Sequence, residues 1–339
     1  MKVLINTSAI EFRKKSILIF SITIILSITL SLISSNRSDV NKDRNDTAVY
    51  SEHFSCLVKK GEDCSSIVGG LDYGYGIVAS ILEKFSFHSF FIFKFFLSFV
   101  ILFPILYLVL SKSINPVLSF AFLLSDYRFY EYFSNVLRHG LALSFFCILI
   151  LFFSRYNWKY LLAFIIVPLT HLSTSVLLLI PFTKLRTVFI FVLLSGSIFG
   201  VYFFAPIGEY FSGYLPGKIQ YYIDHSEGFK FASPIQYTTM FLLTVLLYRS
   251  FDKSKIFFAN AVVILFLLSI CFNTIGMGYR FISFSLPFYA ILIPSILNLF
   301  SKYFGKFENQ FYVTSSSVLS IVVMLLFIRN YDFIYLHLS

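Results

Sequence analysis

The stretch SILIFSITIILSITLSLI, residues 16–33, contains eighteen residues and no charged side chain. A helix needs about 17–25 mostly apolar residues to cross the hydrocarbon of a bilayer. Arg13, Lys14 and Lys15 precede the stretch, as basic residues do in a secretory signal peptide. The apolar region is too long for a signal peptide, however, and no small-residue cleavage site follows it. The stretch therefore predicts a retained first transmembrane helix.

Similar apolar runs recur to the end of the chain, whose 339 residues are 58% hydrophobic and 13% charged, with 45 Phe and 22 Tyr. This apolar share is above that of a soluble globular domain. The formal charge of +10 comes from basic residues scattered through short loops, which argues against nucleic-acid binding. We predict an all-α, polytopic integral membrane protein with a single membrane domain over residues 1–339. It should have about 10–11 transmembrane helices, including short or broken ones.

Hydropathy places these spans, and the distribution of Lys and Arg orients them. The predicted spans lie near residues 16–33, 87–110, 117–127, 136–153, 160–183 (in two halves), 187–205, 235–248, 256–274, 281–300 and 311–328. With the N-terminus in the cytoplasm, the cytoplasmic segments carry 14 Lys and Arg against 3 Asp and Glu, whereas the rest of the chain carries 13 against 14. The same orientation places two long segments outside, at 34–86 and 206–234.

Two topologies fit the middle of the chain. In the preferred one, residues 160–183 form two short limbs that break near Pro168 and His171, because proline removes a helical hydrogen bond. In the alternative, residues 117–135 form a re-entrant loop and the segment SRYNWK lies outside. The charge bias favours the first topology.

The four cysteines fall into two pairs of different character. Cys56 and Cys64 lie in the first outer segment and could form a disulfide in an oxidising compartment. Cys147 and Cys271 lie within apolar runs and are predicted to be packing residues. No Cys and His residues have the spacing of a metal site, and the chain has neither a glycine-rich phosphate loop nor a G-x-S-x-G motif. We therefore predict no cofactor and no metal ion.

Several ionisable residues from separate segments are predicted to lie at or just below the outer face: Asp72, Arg128, Arg138, His139, His171 and Arg280. Ionisable residues inside a membrane are costly and usually functional. The planar arginine side chain suits phosphate oxygens and keeps its charge, so converging arginines suggest an anionic ligand such as a lipid-linked diphosphate. Tyrosines surround these positions, and their ring faces suit sugars, although tyrosines also line membrane interfaces: Tyr50, Tyr73, Tyr75, Tyr127, Tyr130, Tyr132 and Tyr279.

Each of these residues also has a structural interpretation. Arg128 and the tyrosines could anchor the chain at the interface, and Arg138 could snorkel from the first turn of its span. Lys94 is expected to snorkel to the membrane surface. His139 could be a hydrogen-bond donor between packed helices, and Asp72, in GGLDYGYG, could be a solvated turn residue.

Four stretches resemble the EpsG-like branch of the Wzy-type polysaccharide polymerases. They are DTAVYSEHF with Asp46, Tyr50 and Phe54, DYGYGIVASIL with Asp72, NVLRHGLALS with Arg138, and PLTHLSTSVLLLIP with His171. Arg280, in GYRF, also fits a late arginine of the family. Three positions depart from the family pattern: Asp72 replaces a glutamate, His139 replaces a glutamine, and Leu172 separates His171 from Ser173.

The resemblance implies a glycosyltransferase at the outer face of a bacterial inner membrane, with its active site facing the periplasm. The enzyme would transfer a glycan from undecaprenyl diphosphate to the non-reducing end sugar of an incoming lipid-linked repeat unit. Arg138 and Arg280 would stabilise the diphosphate, and Asp72 or His171 would be the general base. Further substrate contacts are expected from Arg128, His139, Tyr50 and Tyr279. The implied partners are the lipid-linked oligosaccharide, the bilayer, and a chain-length regulator and flippase of the same pathway.

Two other functions compete with this one. A flippase or exporter for lipid-linked sugars tends to show inverted repeats and ionisable residues near the membrane midplane, whereas the candidates here fall near one face and no repeat is visible. An O-antigen ligase uses the same donor and an architecture that sequence distinguishes poorly. A purely structural scaffold leaves the arginines unexplained. The sequence therefore favours the polymerase.

Overall fold

In a computed structural model of the protein, the described residues are 2–36, 46–60, 64–67, 72–152, 235–271 and 278–329, with isolated positions at Val167, Thr170, Leu177 and Gly196. All regular elements in these ranges are helical. The predictions for the two limbs of 160–183, the span near 187–205, the segment 206–234 and His171 concern residues outside the described part, apart from those isolated positions.

The chain divides into two compact units, one of residues 1–178 and 318–339 and the other of residues 179–317. The first contains α1 (Lys2–Ser35), α2 (Thr47–Val58), α3 (Cys64–Ile67), α4 (Tyr73–Phe85), α5 (Phe90–Lys112), α6 (Pro116–Ser125), α7 (Tyr127–Ser134) and α8 (Leu137–Phe152). The second contains α9 (Ile235–Leu246), α10 (Lys253–Cys271) and α11 (Gly278–Lys302). The last helix, α12 (Glu308–Arg329), covers the last predicted span.

Within the described ranges, four helical segments are long and apolar enough to cross a membrane: Ser16–Ser35, Phe90–Lys112, Lys253–Cys271 and Gly278–Lys302. The pair α7 and α8, which is bent by 99°, adds a fifth if it counts as one broken span. These helices confirm the predicted all-α, polytopic membrane fold, including a broken element.

Helix α6 coincides with the short span that was predicted near residues 117–127. It has ten residues, which at about 1.5 Å per residue gives roughly half of the hydrocarbon thickness. A single crossing by α6 alone is therefore excluded on length. The short α6 suits the re-entrant alternative, and the sidedness of the neighbouring loops stays a prediction.

Helix α5 is the centre of the first unit, where it packs against α1, α4, α6, α7 and α8. Leu97, Ile101 and Ile105 on α5 are fully buried. A helix that is apolar on all sides is stable only where other helices or lipid cover it. Hydropathy alone therefore places α5 correctly within the membrane domain.

Helix α1 buries its small polar residues and exposes its large apolar ones. Thr23, Ser27, Ser31 and Ser34 have no exposed surface, whereas Ile25 is 62% exposed. This is the reverse of a helix on a soluble protein, and it is the pattern expected in lipid, where small residues let two helices approach closely. The buried face of α1 packs chiefly on α5.

The segment 34–86, predicted as an outer loop, contains three helices of the first unit in its described residues. Tyr50 and Phe54 lie one turn apart on α2 and are buried, and the Phe54 ring lies 4.9 Å from that of Phe93 on α5. Apolar residues at this spacing form one helical face, which is why the segment folds against α5.

In the second unit, α10 and α11 pack along each other and α9 packs against both. The rings of Phe241 and Phe266 stack with centroids 4.3 Å apart. The hydroxyl of Tyr289 on α11 donates a hydrogen bond to the carbonyl of Tyr237 on α9, at 3.2 Å.

The packing of α1 predicts that Ser31→Leu destabilises the protein, because a large side chain does not fit the close α1–α5 contact. We expect a cost of about 1–3 kcal/mol, measured as a lower unfolding temperature of the detergent-solubilised protein. Ile25→Leu, on the exposed face of the same helix, is the matched control and should unfold like the wild type. Equal stability of both variants would contradict the proposed packing.

Candidate functional site

Hydroxyl groups from three other helices donate hydrogen bonds to the carbonyls at the break between α7 and α8. Ser34 on α1 and Ser98 on α5 both donate hydrogen bonds to the carbonyl of Phe133, at 2.8 and 2.7 Å. Thr47 on α2 donates to the carbonyl of Ser134 at 3.4 Å. Carbonyls freed by a helix break need partners in a membrane protein. These bonds therefore hold the break in place.

Gly140 lets α8 pass close to α7. A Cβ atom at this position would collide with the carbonyl oxygen of Tyr132 and lie 2.9 Å from Cγ2 of Ile101. Only glycine permits so close an approach of one backbone to another. The contact fixes the first turn of α8, which carries Arg138.

Arg138 forms an ion pair with Asp72, which lies immediately before α4. Its Nη1 atom is 2.5 Å from Oδ2 of Asp72, and the two side chains are 18% and 8% exposed. Asp72 stands at the N-terminal end of α4 but makes no side-chain capping bond. Its carboxylate is instead directed to Arg138, so two residues that the sequence singles out lie together.

Tyr50 joins the pair from α2. Its hydroxyl accepts a hydrogen bond from the backbone N–H of Arg138 at 3.4 Å. The start of α2 is held to the break by Asn135, whose side-chain oxygen accepts a hydrogen bond from the backbone N–H of Asp46 at 3.0 Å. The polar residues of this site therefore come from α2, the start of α4 and the start of α8.

The charge of Arg138 acts on the residues of α2 that face it. Burial raises the pKa of Tyr50, and the positive charge of Arg138 opposes that shift. Burial, followed by the charge of Arg138, lowers the pKa of His53. The net change in each pKa favours the uncharged form of the residue. Tyr50 therefore stays protonated and His53 is neutral at neutral pH.

Thr170 lies against the first turn of α4. A Cβ atom at Gly74 would lie 2.8 Å from Oγ1 of Thr170 and 3.0 Å from its backbone N and Cα. Gly74 is two residues after Asp72, and Thr170 directly precedes His171 in the sequence. Thr170 therefore lies close to the start of α4, while His171 itself lies outside the described residues.

Arg128 and His139 have partners in α7 or at the residue before it. Arg128 is buried, and its Nη1 lies 3.6 Å from Oδ2 of Asp126. Its guanidinium lies over the ring of Tyr127, 5.2 Å from the centroid. The ring of His139 stacks on Tyr132, with centroids 6.1 Å apart and planes within 14°. These contacts support packing roles, and their predicted contacts with substrate stay predictions.

Tyr279 and Arg280 lie in the first turn of α11, in the second unit, and both are half-buried. The carbonyl of Tyr279 accepts a hydrogen bond from the hydroxyl of Ser283 at 3.0 Å. Their predicted roles at the diphosphate stay predictions.

Sequence reasoning missed the buried His53 and placed Lys94 wrongly. His53 is 1% exposed, and its ring centroid lies 5.6 Å from that of Tyr75. Lys94 is fully buried, so the expected snorkelling to the surface is wrong. It lies one turn before Ser98 on α5, on the face that other helices cover. The signal for His53 was available, since it follows Tyr50 by three positions on one helical face.

Cys56 and Cys64 form a disulfide that ties the end of α2 to α3. Cys147 is buried in α8, as expected for a packing residue. In the part of the chain that the structure describes, no three His, Cys, Asp or Glu residues are grouped so that they could hold a metal ion.

The helices and the buried ionic site define a multi-pass α-helical membrane protein. The EpsG family matches residues 11–338, and the chain belongs to this family, which is linked to exopolysaccharide biosynthesis. No curated protein and no solved structure matches the chain.

The close approach at Gly140 predicts that Gly140→Ala destabilises the protein by about 1–3 kcal/mol, because the added methyl group pushes α8 away from the carbonyl of Tyr132. Thermal unfolding in detergent measures the loss. Gly76→Ala on α4 is the control: a Cβ there meets nothing within 4 Å, and it should stabilise α4 by about 0.5–1 kcal/mol. If Gly140→Ala unfolds no earlier than Gly76→Ala, the close contact is wrong.

Proposed function

We propose that this protein is a polysaccharide polymerase that uses undecaprenyl-diphosphate-linked oligosaccharides as both donor and acceptor. It is a glycosyltransferase that transfers the growing glycan to the non-reducing end sugar of an incoming repeat unit. Membership of the family supports a role of the protein in polysaccharide synthesis. The buried ion pair supports a catalytic or binding role for its residues, because packing alone does not require charges there.

The observation that carries the proposal is the ion pair between Arg138 and Asp72. Burying two charges costs several kcal/mol of desolvation per ion, which their attraction only partly repays. Apolar residues would stabilise this position as well or better. A buried pair that is still 18% exposed on the arginine side is therefore better explained by a ligand that uses it.

The arginine suits a diphosphate because its planar group offers several N–H donors in a fixed geometry, and Nη1 donates to Asp72. As the bond between the anomeric carbon and the phosphate oxygen breaks, its electron pair moves to the diphosphate. A fixed positive charge stabilises the developing negative charge. Arg138 is the candidate for this role, and Arg280 is the second.

The acceptor hydroxyl loses its proton as its oxygen bonds to the anomeric carbon. Asp72 can take that proton once a diphosphate competes for the guanidinium that holds its carboxylate. His171 is the other candidate base, and the contact between Gly74 and Thr170 supports it, because Thr170 is its neighbour in sequence. The leaving group departs as undecaprenyl diphosphate, so the reaction needs no nucleotide.

The site is proposed to face the periplasm of a bacterial inner membrane, with the N-terminus in the cytoplasm. The disulfide between Cys56 and Cys64 supports this orientation, because disulfides persist in oxidising compartments. It lies in the segment that carries α2 and α4, which supply Tyr50 and Asp72. A chain-length regulator and a flippase of the same pathway are the proposed protein partners.

The proposal predicts that Arg138→Ala lowers polymerisation by about 10²–10³-fold, because the leaving diphosphate loses a positive charge. Arg280→Ala should give the same phenotype. The measurement is the size distribution of surface polysaccharide in a deletion strain that carries each variant, together with mass spectrometry of the lipid-linked oligosaccharides. We expect single repeat units in place of long chains.

Arg138→Lys is the matched variant, since it keeps the charge that Asp72 needs but loses the planar group. It should remain folded and still slow polymerisation roughly tenfold or more. Long chains at normal levels from both Arg138 variants would contradict the proposal. Complete loss of surface polysaccharide, with no single units, would point to a ligase or a flippase instead.

The proposed orientation predicts that Cys56 and Cys64 are oxidised in growing cells. Trapping with a thiol-reactive polymer should shift only the bands due to Cys147 and Cys271 until a reductant is added. A strain without its periplasmic disulfide oxidase is the control, and there all the cysteines should react. If Cys56 and Cys64 react in wild-type cells without reductant, the segment faces the cytoplasm.

A further inference from the structure

Next to Arg138, α2 and α4 carry a group of buried polar side chains that the proposed phosphate-binding role does not use. His53 is 1% exposed and Tyr75 has no exposed surface. The ring of Tyr75 lies 5.6 Å from that of His53 and 5.6 Å from that of Tyr50, centroid to centroid. Tyr50 in turn accepts the hydrogen bond from Arg138. His53 and Tyr75 are therefore neighbours of the ionic site.

Two polar atoms of this group have no hydrogen-bond partner among the residues that the structure describes, namely Nδ1 of His53 and the hydroxyl of Tyr75. Nearly all buried polar groups in native proteins are hydrogen-bonded, and each exception calls for an explanation. Leaving a buried donor or acceptor unpaired costs the full desolvation of that group. Two such atoms on neighbouring rings are therefore better explained by a ligand than by chance.

Two other buried tyrosines in the described ranges donate hydrogen bonds to backbone carbonyls. The hydroxyl of Tyr289 donates to Tyr237 at 3.2 Å, and the hydroxyl of Tyr130 donates to Leu124 at 3.0 Å. Tyr75 is as buried as Tyr289 but makes no such bond to any described residue. The lack of such a bond is therefore a feature of this site and not of buried tyrosines in general.

The protonation states of the two residues suit an uncharged polar ligand. Burial raises the pKa of Tyr75 well above its usual value, so its hydroxyl can donate a hydrogen bond. His53 is kept neutral by burial and by Arg138, so its ring has one donor and one acceptor nitrogen. A ligand hydroxyl both donates and accepts, and it can therefore pair with the two atoms together.

We infer that His53 and Tyr75 form a binding subsite for a sugar hydroxyl of the repeat unit, beside the arginine that binds the diphosphate. This inference rests on the proposed function, which brings a sugar and a diphosphate to one place. Ligand can approach along Arg138 and Tyr73, whose side chains remain 18% and 58% exposed.

The test compares the binding of three probes to the full-length protein in lipid nanodiscs. The first is the lipid-linked single repeat unit extracted from a strain that lacks this gene. The second is undecaprenyl diphosphate without sugar, and the third is the free oligosaccharide released from the first by mild acid. Tyr75→Phe should bind the first probe about 3- to 10-fold more weakly, as expected for one lost hydrogen bond, and should bind undecaprenyl diphosphate normally.

The third probe shows whether the bound sugar belongs to the donor or to the acceptor. Weaker binding of the free oligosaccharide by Tyr75→Phe would place the subsite at the acceptor, whereas an effect only on the lipid-linked unit would place it at the donor. His53→Asn, which keeps a polar atom near the position of Nδ1, should bind the lipid-linked unit better than His53→Phe.

Stability separates a binding role from a structural one. Tyr75→Phe removes a hydroxyl that has no hydrogen-bond partner among the described residues, and it should unfold at the wild-type temperature or higher. Tyr289→Phe is the matched control, because it removes a bonded hydroxyl and should unfold earlier while it binds all three probes normally. Wild-type binding of the lipid-linked unit by Tyr75→Phe, or a loss of stability like that of Tyr289→Phe, would overturn the inference.

Arg138→Ala keeps the two hypotheses apart. It should weaken the binding of undecaprenyl diphosphate, and if it does not, the proposed diphosphate site fails. The Tyr75→Phe comparison between sugar-bearing and sugar-free probes still decides the hydroxyl subsite in that case.

Discussion

The structure of the first unit depends on the carbonyl groups that are freed where α7 ends and α8 begins. In a membrane these groups have no water to bind and must find partners within the protein. Ser34 and Ser98 supply two hydroxyls to the carbonyl of Phe133, and Thr47 supplies one to Ser134. The same bonds draw α1, α2 and α5 to the break, so the first turn of α8 is positioned by three other helices.

Arg138 lies in that turn. Its contacts there explain how a charged side chain is accommodated in a largely apolar protein. Asp72 neutralises it at 2.5 Å, and Tyr50 accepts a hydrogen bond from its backbone. An ion pair of this kind adds little net stability, because desolvation offsets the attraction. Its retention is best explained by the proposed transfer chemistry, in which the arginine binds a diphosphate and the carboxylate is near the acceptor.

Prediction from the sequence succeeded where a local property decides the structure. The spans near residues 16–33, 87–110, 256–274 and 281–300 correspond to helices of the right length, because the free energy of entering lipid is a sum over neighbouring residues. It also located the short helix near 117–127, but it failed for Lys94, which is buried. That error arose because burial by other helices cannot be read from hydropathy.

The sequence by itself determined that the chain is a helical membrane protein, and it singled out Asp72, Tyr50 and Arg138 as candidates. Only the tertiary structure decided that Asp72 meets Arg138 across 66 positions of the chain. It also placed His53 and Tyr75 beside them, with polar atoms that no described residue pairs. Hydropathy is a property of residues that are neighbours in the sequence, so it determines which segments enter the bilayer. The meeting of distant side chains depends on how helices cross and break, and that geometry is set by packing contacts such as the one at Gly140.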